Sequence, residues 1–123
     1  MAVQGFPNEM DNPNGAANAL KLCRQDDSPL EGCDTSEHPR WSSDDTHHGF
    51  DEFGFSALPG GYRTSSWSFD RLGSGGYWWT SIQYYSSPTL AWSRSMGHFA
   101  GHVYIGSNKK TNGYSVRCIS YLD

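Results

Sequence analysis

The histidines His98 and His102 stand four residues apart in His-Phe-Ala-Gly-His, the spacing at which a helix turns two imidazoles toward one zinc ion. The residues between them do not support that chemistry. Phe99 stands where a zinc protease carries its general-base Glu, and Gly101 disfavours the helix. His47-His48, followed by Asp51-Glu52, also offers metal-ligand types, but adjacent side chains diverge and the stretch reads as a solvated loop. Asp51, Asp70 and Asn108 could give oxygens to a structural calcium ion, without a spaced loop of the EF-hand kind to hold them. Thr64-Ser65-Ser66 lacks the Gly-x-Ser-x-Gly setting of an exposed nucleophile, and Ser74-Gly75-Gly76 lacks a Lys to hold phosphate. No acid, base and nucleophile come together. The expectation is a chain that is not an enzyme and carries no cofactor, structural calcium being the one open exception.

A different signal runs from Tyr84 to Ser107. Tyr84, Tyr85, Ser95, His98, Phe99, His102, Tyr104 and Ser107 mix rings with small polar residues and little charge. Recognition surfaces use that mixture, because Tyr supplies contact area at low entropic cost while Ser and Gly adapt their hydrogen bonding. Rings also stack on the apolar faces of sugars. These eight residues are the candidate ligand-binding set, for a glycan or a protein. Trp78, Trp79 and Trp92 read instead as core.

The elements that must position this set are short. Fourteen Gly and six Pro break the 123-residue chain into pieces too brief for long helices. Asn12 as cap and Pro13 in the first turn predict one helix, from Pro13 to about Leu22. Strands are predicted around Tyr77–Tyr85, Thr89–Met96, His102–Ile105 and Tyr114–Leu122, with Asn112-Gly113 as a hairpin turn between the last two. Leu, Ile, Val and Phe are scarce, so five Trp, seven Tyr and six Phe must supply most of the core. Residues 1–40 hold a single ring, Phe6.

The formal charge of −4 gives no reason to expect a nucleic-acid partner. Residues 1–70 carry 12 acids against 4 bases, and residues 71–123 carry 5 bases against one acid, which reads as solvated loops complementing each other. No apolar run approaches the roughly 20 residues of a membrane span, and the first residues have no signal-peptide pattern. A soluble chain without direct membrane insertion is expected. Cys23 and Cys33 lie ten residues apart in a stretch too polar to order itself, where a disulfide would contribute roughly 3 kcal/mol and imply an oxidising compartment. Cys118 reads as a small buried thiol, although its pairing with either of the others stays open.

Four strings then stand together: Gly54-Phe55-Ser56-Ala57-Leu58-Pro59-Gly60-Gly61-Tyr62-Arg63; Gly76-Tyr77-Trp78-Trp79-Thr80-Ser81 with Ala91-Trp92; Asn108-Lys109-Lys110; and Gly113-Tyr114-Ser115-Val116-Arg117-Cys118. In order and spacing they resemble the Fibrobacter succinogenes major paralogous domain family, over about Leu20 to Leu122. That resemblance implies a C-type-lectin-like fold, shared with formylglycine-generating enzymes and several adhesins, and a place in secreted or surface lipoproteins of gut and rumen bacteria. The chain then reads as one α+β, β-rich and loop-rich domain over residues 1–123 with little helix, extracellular or at a cell surface.

Two departures stand beside the resemblance. Residues 1–19 carry neither the Gly-Trp-His-Val-Pro opening nor the Glu-Trp helix of the family, and if the fold is complete, Ala2–Phe6 should lie near the C-terminal strand. The cysteine pair of formylglycine-generating enzymes has no match, which weighs against catalysis by analogy. Between Trp79 and Gly113 the family is rich in Asn and Tyr, whereas this chain carries Ser, His, Gly, Phe and Tyr. Retroelement-diversified variable proteins vary a similar stretch of a C-type-lectin-like domain. The expected role is a ligand-binding surface module or, alternatively, a structural or assembly module of a surface or phage protein whose aromatic face contacts a neighbour. Arg63 and Arg117 are expected to anchor carbonyls or acids such as Asp51 and Glu52.

Overall fold

The computed structural model describes residues 4–28 and 30–118. Helix α1 is Ala16–Leu20, and the strands are β1 Gly60–Arg63, β2 Phe69–Leu72, β3 Gly75–Gln83, β4 Leu90–Gly97 and β5 Tyr104–Lys109. They form one mixed sheet in the order β2-β1-β3-β4-β5. Only β1 and β3 run parallel, meeting at Gly61 and Gly76, and the other neighbours are antiparallel. The chain is thus β-rich with almost no helix. Among the described residues no helix is long and apolar enough to cross a membrane.

The helix is shorter than Pro13–Leu22 because local bonds compete at both ends. Asn12 turns its side-chain oxygen to the Asn14 N–H at 2.9 Å instead of capping, so Gly15 becomes the N-cap. At the other end Lys21 is already extended, and the Leu22 N–H donates to the Ala57 carbonyl at 2.9 Å. All five helical residues are buried, and their small side chains let neighbouring backbone close around them.

The core gathers Ala16, Ala17, Leu20, Trp41, Ala57, Met96 and Val103, with Phe55 and Trp78 packed against it. Its central ring is Trp41, whose indole N–H donates to the Ala57 carbonyl at 3.1 Å. Trp78 joins the core from its edge as expected. Trp79 and Trp92 do not: Trp79 stacks on Tyr114 at 4.4 Å and Trp92 meets Tyr84 at 5.0 Å, both half-buried.

The C-terminal hairpin does not form. After β5 the chain turns, with the Asn112 N–H on the Lys109 carbonyl, and then crosses to the far strands. Gly113 bonds Arg63 of β1, and Ser115 bonds Tyr77 and Trp79 of β3, as isolated bridges. Over the described residues 114–118 no strand forms to bury alternate side chains, and Val116 and the free Cys118 are exposed. Residues 119–122 of the expected strand, and Ala2 and Val3 of the expected N-terminal pairing, lie outside the described residues. Phe6 packs on Phe50 and Phe53.

Cys23 and Cys33 form a disulfide, with Cα atoms 4.9 Å apart. It closes a loop whose further ties are bridges from Arg24 to Asp34 and from Gln25 to Trp41. Replacing both cysteines by Ser is expected to lower stability by about 2–3 kcal/mol. Urea midpoints of the double variant against the oxidised parent measure it, and an unchanged midpoint would show the bridge to be idle. Among the described residues both ion pairs, Arg24 with Asp34 and Arg40 with Asp26, fall within the acidic front of the chain rather than between its halves.

A buried polar chain lies beneath the helix. Lys21, 1% exposed, donates to the Asn18 side-chain oxygen at 3.0 Å and to the Ala100 carbonyl at 2.9 Å, with its ammonium 5.2 Å from the Trp41 ring centre. Asn18 in turn donates from its amide nitrogen to His47 Nδ1 at 3.1 Å. His47 is therefore buried structure rather than part of a solvated loop, while His48 reaches the Asp45 carbonyl.

Candidate functional site

Sheet register brings the central residues together. Tyr77 pairs with Ser95, and Ser95 pairs with Tyr104, so β3, β4 and β5 present these three in one row on one face. The next row is Trp79, Ser93 and Gly106. Trp78 and Met96 alternate to the opposite face, toward the core. Large rings on β3 and β5 flank the small Ser95 and Gly97 of β4, which have little side chain to fill the space between them and leave a hollow.

Residues from outside these rows close the hollow into a cavity of about 240 Å³, with Tyr77, Ser95, Phe99, His102, Tyr104 and Tyr114 around it and Arg71 and Asn108 also in the wall. Tyr114 comes from the crossing segment and lies 5.3 Å from Tyr77, 5.5 Å from Tyr62 and 4.4 Å from Trp79. Burial raises the phenols of both Tyr77 and Tyr114 above their ordinary range, so each keeps its proton at neutral pH and can donate. Asn108 accepts a 2.7 Å hydrogen bond from Ser93, which fixes its side chain.

The eight sequence candidates divide. Ser95, Phe99, His102 and Tyr104 line the cavity. His98 stands behind them with its ring 5.5 Å from Phe99, held by its N–H on the Ser74 carbonyl at 3.0 Å. Tyr84 and Tyr85 stack on each other at 5.1 Å by the β3–β4 turn, away from the cavity, with Tyr84 also against Trp92. Ser107 pairs with Trp92 and so belongs to the opposite face from Tyr104. His98 and His102 lie on a loop, not a helix, and Nδ1 of each is buried without a hydrogen-bond partner among the described residues.

Arg71, Tyr77 and Tyr114 are not among the sequence candidates, and Asn108 is there only as a calcium ligand. Tyr77 was legible, since alternation about Trp78 assigns it to the other face of β3; Tyr114 was not, because it arrives by a crossing that no local pattern announces.

Neither proposed ion set forms as a cluster. Asp51 binds the Ser56 N–H at 2.7 Å and its hydroxyl at 2.6 Å, Asp70 binds the Arg71 N–H at 2.8 Å, and Asn108 is engaged by Ser93. No group of three or more His, Cys, Asp or Glu side chains suited to a metal occurs among the described residues. Arg117 does reach a carbonyl, that of Phe55, and lies over the same ring at 4.2 Å. Arg63 stacks on Trp67 at 4.5 Å instead, and neither guanidinium pairs with Asp51 or Glu52 among the described residues.

Compared with protein-family models, curated proteins and solved structures, the chain matches none. The site is therefore interpreted from its own geometry.

Proposed function

We propose that the chain is a non-catalytic ligand-binding module with a C-type-lectin-like fold, of the Fibrobacter succinogenes major paralogous domain kind, working outside the cell on a bacterial or phage surface. The observation that carries this reading is the cavity where Ser95, Phe99, His102 and Tyr104 meet. Phe99 and Tyr104 are 50% and 60% exposed there, apolar area left available beside polar groups that can orient a ligand. The Cys23–Cys33 bridge is in keeping with an oxidising setting. Diversification of the Tyr84–Ser107 stretch by a retroelement belongs to the same proposal, and a neighbouring template repeat with a reverse transcriptase gene is its genomic sign.

A glycan array read beside the solution mass tests the module. A monomer that retains glycans supports it. Replacing His98, His102 and Tyr104 together by Ala is expected to abolish retention while the circular dichroism spectrum stays that of the parent. Retention by the triple variant would refute this site.

One observation favours a second reading, an assembly module. Trp67, Phe69 and Leu72 are 76%, 85% and 74% exposed beside and along edge strand β2, exposed apolar area of the kind that marks contact with another protein. A stable oligomer that hides the aromatic face and retains no glycan would favour it.

A further inference from the structure

Arg71 is the one charged side chain in the cavity wall, and no carboxylate lines the cavity among the described residues. Its backbone lies in the left-handed region, at φ 65°, where a side chain is disfavoured and Gly would sit freely. Local bonds hold it there. Asp70 accepts from the Arg71 N–H at 2.8 Å, and the Ser74 N–H and hydroxyl donate to the Arg71 carbonyl at 3.0 and 3.2 Å. The Asp70 carboxylate is thereby engaged with backbone, and the guanidinium makes no ion pair among the described residues.

The rest of the wall is neutral and hydroxyl-rich. Tyr77, Tyr114, Ser95 and Asn108 supply donors and acceptors, and buried Nδ1 of His102 lacks a partner. A buried polar atom without a partner is costly unless a ligand or water satisfies it. Phe99 and Tyr104 supply exposed ring faces. At about 240 Å³ the space is below the roughly 300–1,000 Å³ of sites for drug-sized molecules and suits a single ring.

We propose that the cavity binds a sugar ring bearing one carboxylate, a uronic-acid residue or its like, with Arg71 paired to the carboxylate and Phe99 and Tyr104 against the ring. This rests on the ligand-binding reading above and narrows it. A planar carboxylate matches the guanidinium fork, which a single arginine can satisfy. A phosphate monoester, with close to two charges at neutral pH, would call for more cations than the wall provides. A simple aliphatic acid would leave the ring of hydroxyl and amide groups unused.

Methyl β-D-glucuronide and methyl β-D-glucoside differ in whether C6 is a carboxylate, and titrating each into the ¹⁵N-labelled chain tests the proposal. The glucuronide is expected to bind about tenfold tighter or more, shifting signals of Phe99, His102 and Tyr104. Arg71→Gln should remove that preference by weakening the glucuronide far more than the glucoside, and 1 M salt should likewise narrow the gap between the two. Equal binding of the two overturns the acidic-sugar assignment while leaving a binding module in place. A glucuronide preference that survives Arg71→Gln overturns the role given to Arg71. If neither glycoside shifts these signals, the acidic-sugar proposal fails, and the glycan array then decides separately whether the module reading fails with it.

Discussion

Urea unfolding of the wild-type chain is expected to give a midpoint that climbs from pH 7 toward pH 10, and in Lys21→Met the climb should disappear. Burial lowers the Lys21 amine from 10.5 to about 7, with Asp44 opposing the shift. In the unfolded chain the same amine keeps its proton to about pH 10.4. Between those limits the unfolded state binds more protons than the folded one, so stability rises with pH. At about 1.4 kcal/mol per pH unit, the full window is worth on the order of 4 kcal/mol. Below about pH 7 both states carry the charge and this slope ends. His47 adds the same sign at lower pH, since burial lowers its pKa while Asn18 donates to its Nδ1 and favours the neutral ring. Tyr77 and Tyr114 act oppositely above about pH 10, where their raised phenols keep protons that the unfolded chain has released. A flat wild-type midpoint from pH 7 to 9.5, or the same slope in Lys21→Met, would show that Lys21 does not sit as described.

Lys21 also marks where the sequence stopped being informative. A lysine in a chain so acidic at its front reads as solvated, and nothing local says that a carbonyl 79 residues away will accept its hydrogen bond. The same limit hid His47 behind a loop reading and Trp41 behind the paired tryptophans. What was legible had a local cause. β3 and β4 came from dense aromatic and β-branched residues between glycines, and their bounds fall within two residues of those expected. The Cys23–Cys33 bridge followed from a loop that had no other means of order. The hairpin at Asn112-Gly113 failed for the converse reason. A turn signal fixes a local bend, but the partner of the outgoing segment is chosen by tertiary hydrogen bonds, here to Arg63, Tyr77 and Trp79. For the site, ring-and-serine composition located Ser95, Phe99, His102 and Tyr104. Alternation about Trp78 already set Tyr77 on the other face of β3, but its place beside Ser95 and Tyr104, and the exclusion of Ser107, came from register across three strands, which no composition encodes.

Gly101→Ala is expected to destabilise the chain by about 3 kcal/mol or more, at the upper end of overpacking effects, and to remove any ligand binding at the cavity. A Cβ at Gly101 would stand 2.1 Å from the Asn12 carbonyl oxygen and 3.0 Å from that of Glu9, so backbone itself must move. On the other side of the same crossing, a Cβ at Gly15 would stand 2.2 Å from the Gly101 oxygen. The two segments touch because hydrogen bonds draw them together: the Gly101 N–H donates to Met10 at 2.8 Å, and the Ala17 N–H donates to Gly101 at 2.9 Å. Asn8 clamps Val103 with its side chain from one side, at 2.7 and 3.2 Å, and Lys21 holds the Ala100 carbonyl from the other. The nearly ring-free front of the chain thus positions the loop that carries Phe99 and His102, although none of its described residues lines the cavity. Pushing Gly101 off Asn12 moves both side chains away from Tyr77 and Tyr104, where small displacements are enough to spoil a preorganised site. Gly60→Ala is the control, because a Cβ there meets nothing within 4 Å and its midpoint and binding should match the parent. If Gly101→Ala unfolds at the parent's urea midpoint, the close crossing of the two segments is wrong. If it is destabilised but keeps the parent's affinity, the loop is not what shapes the cavity.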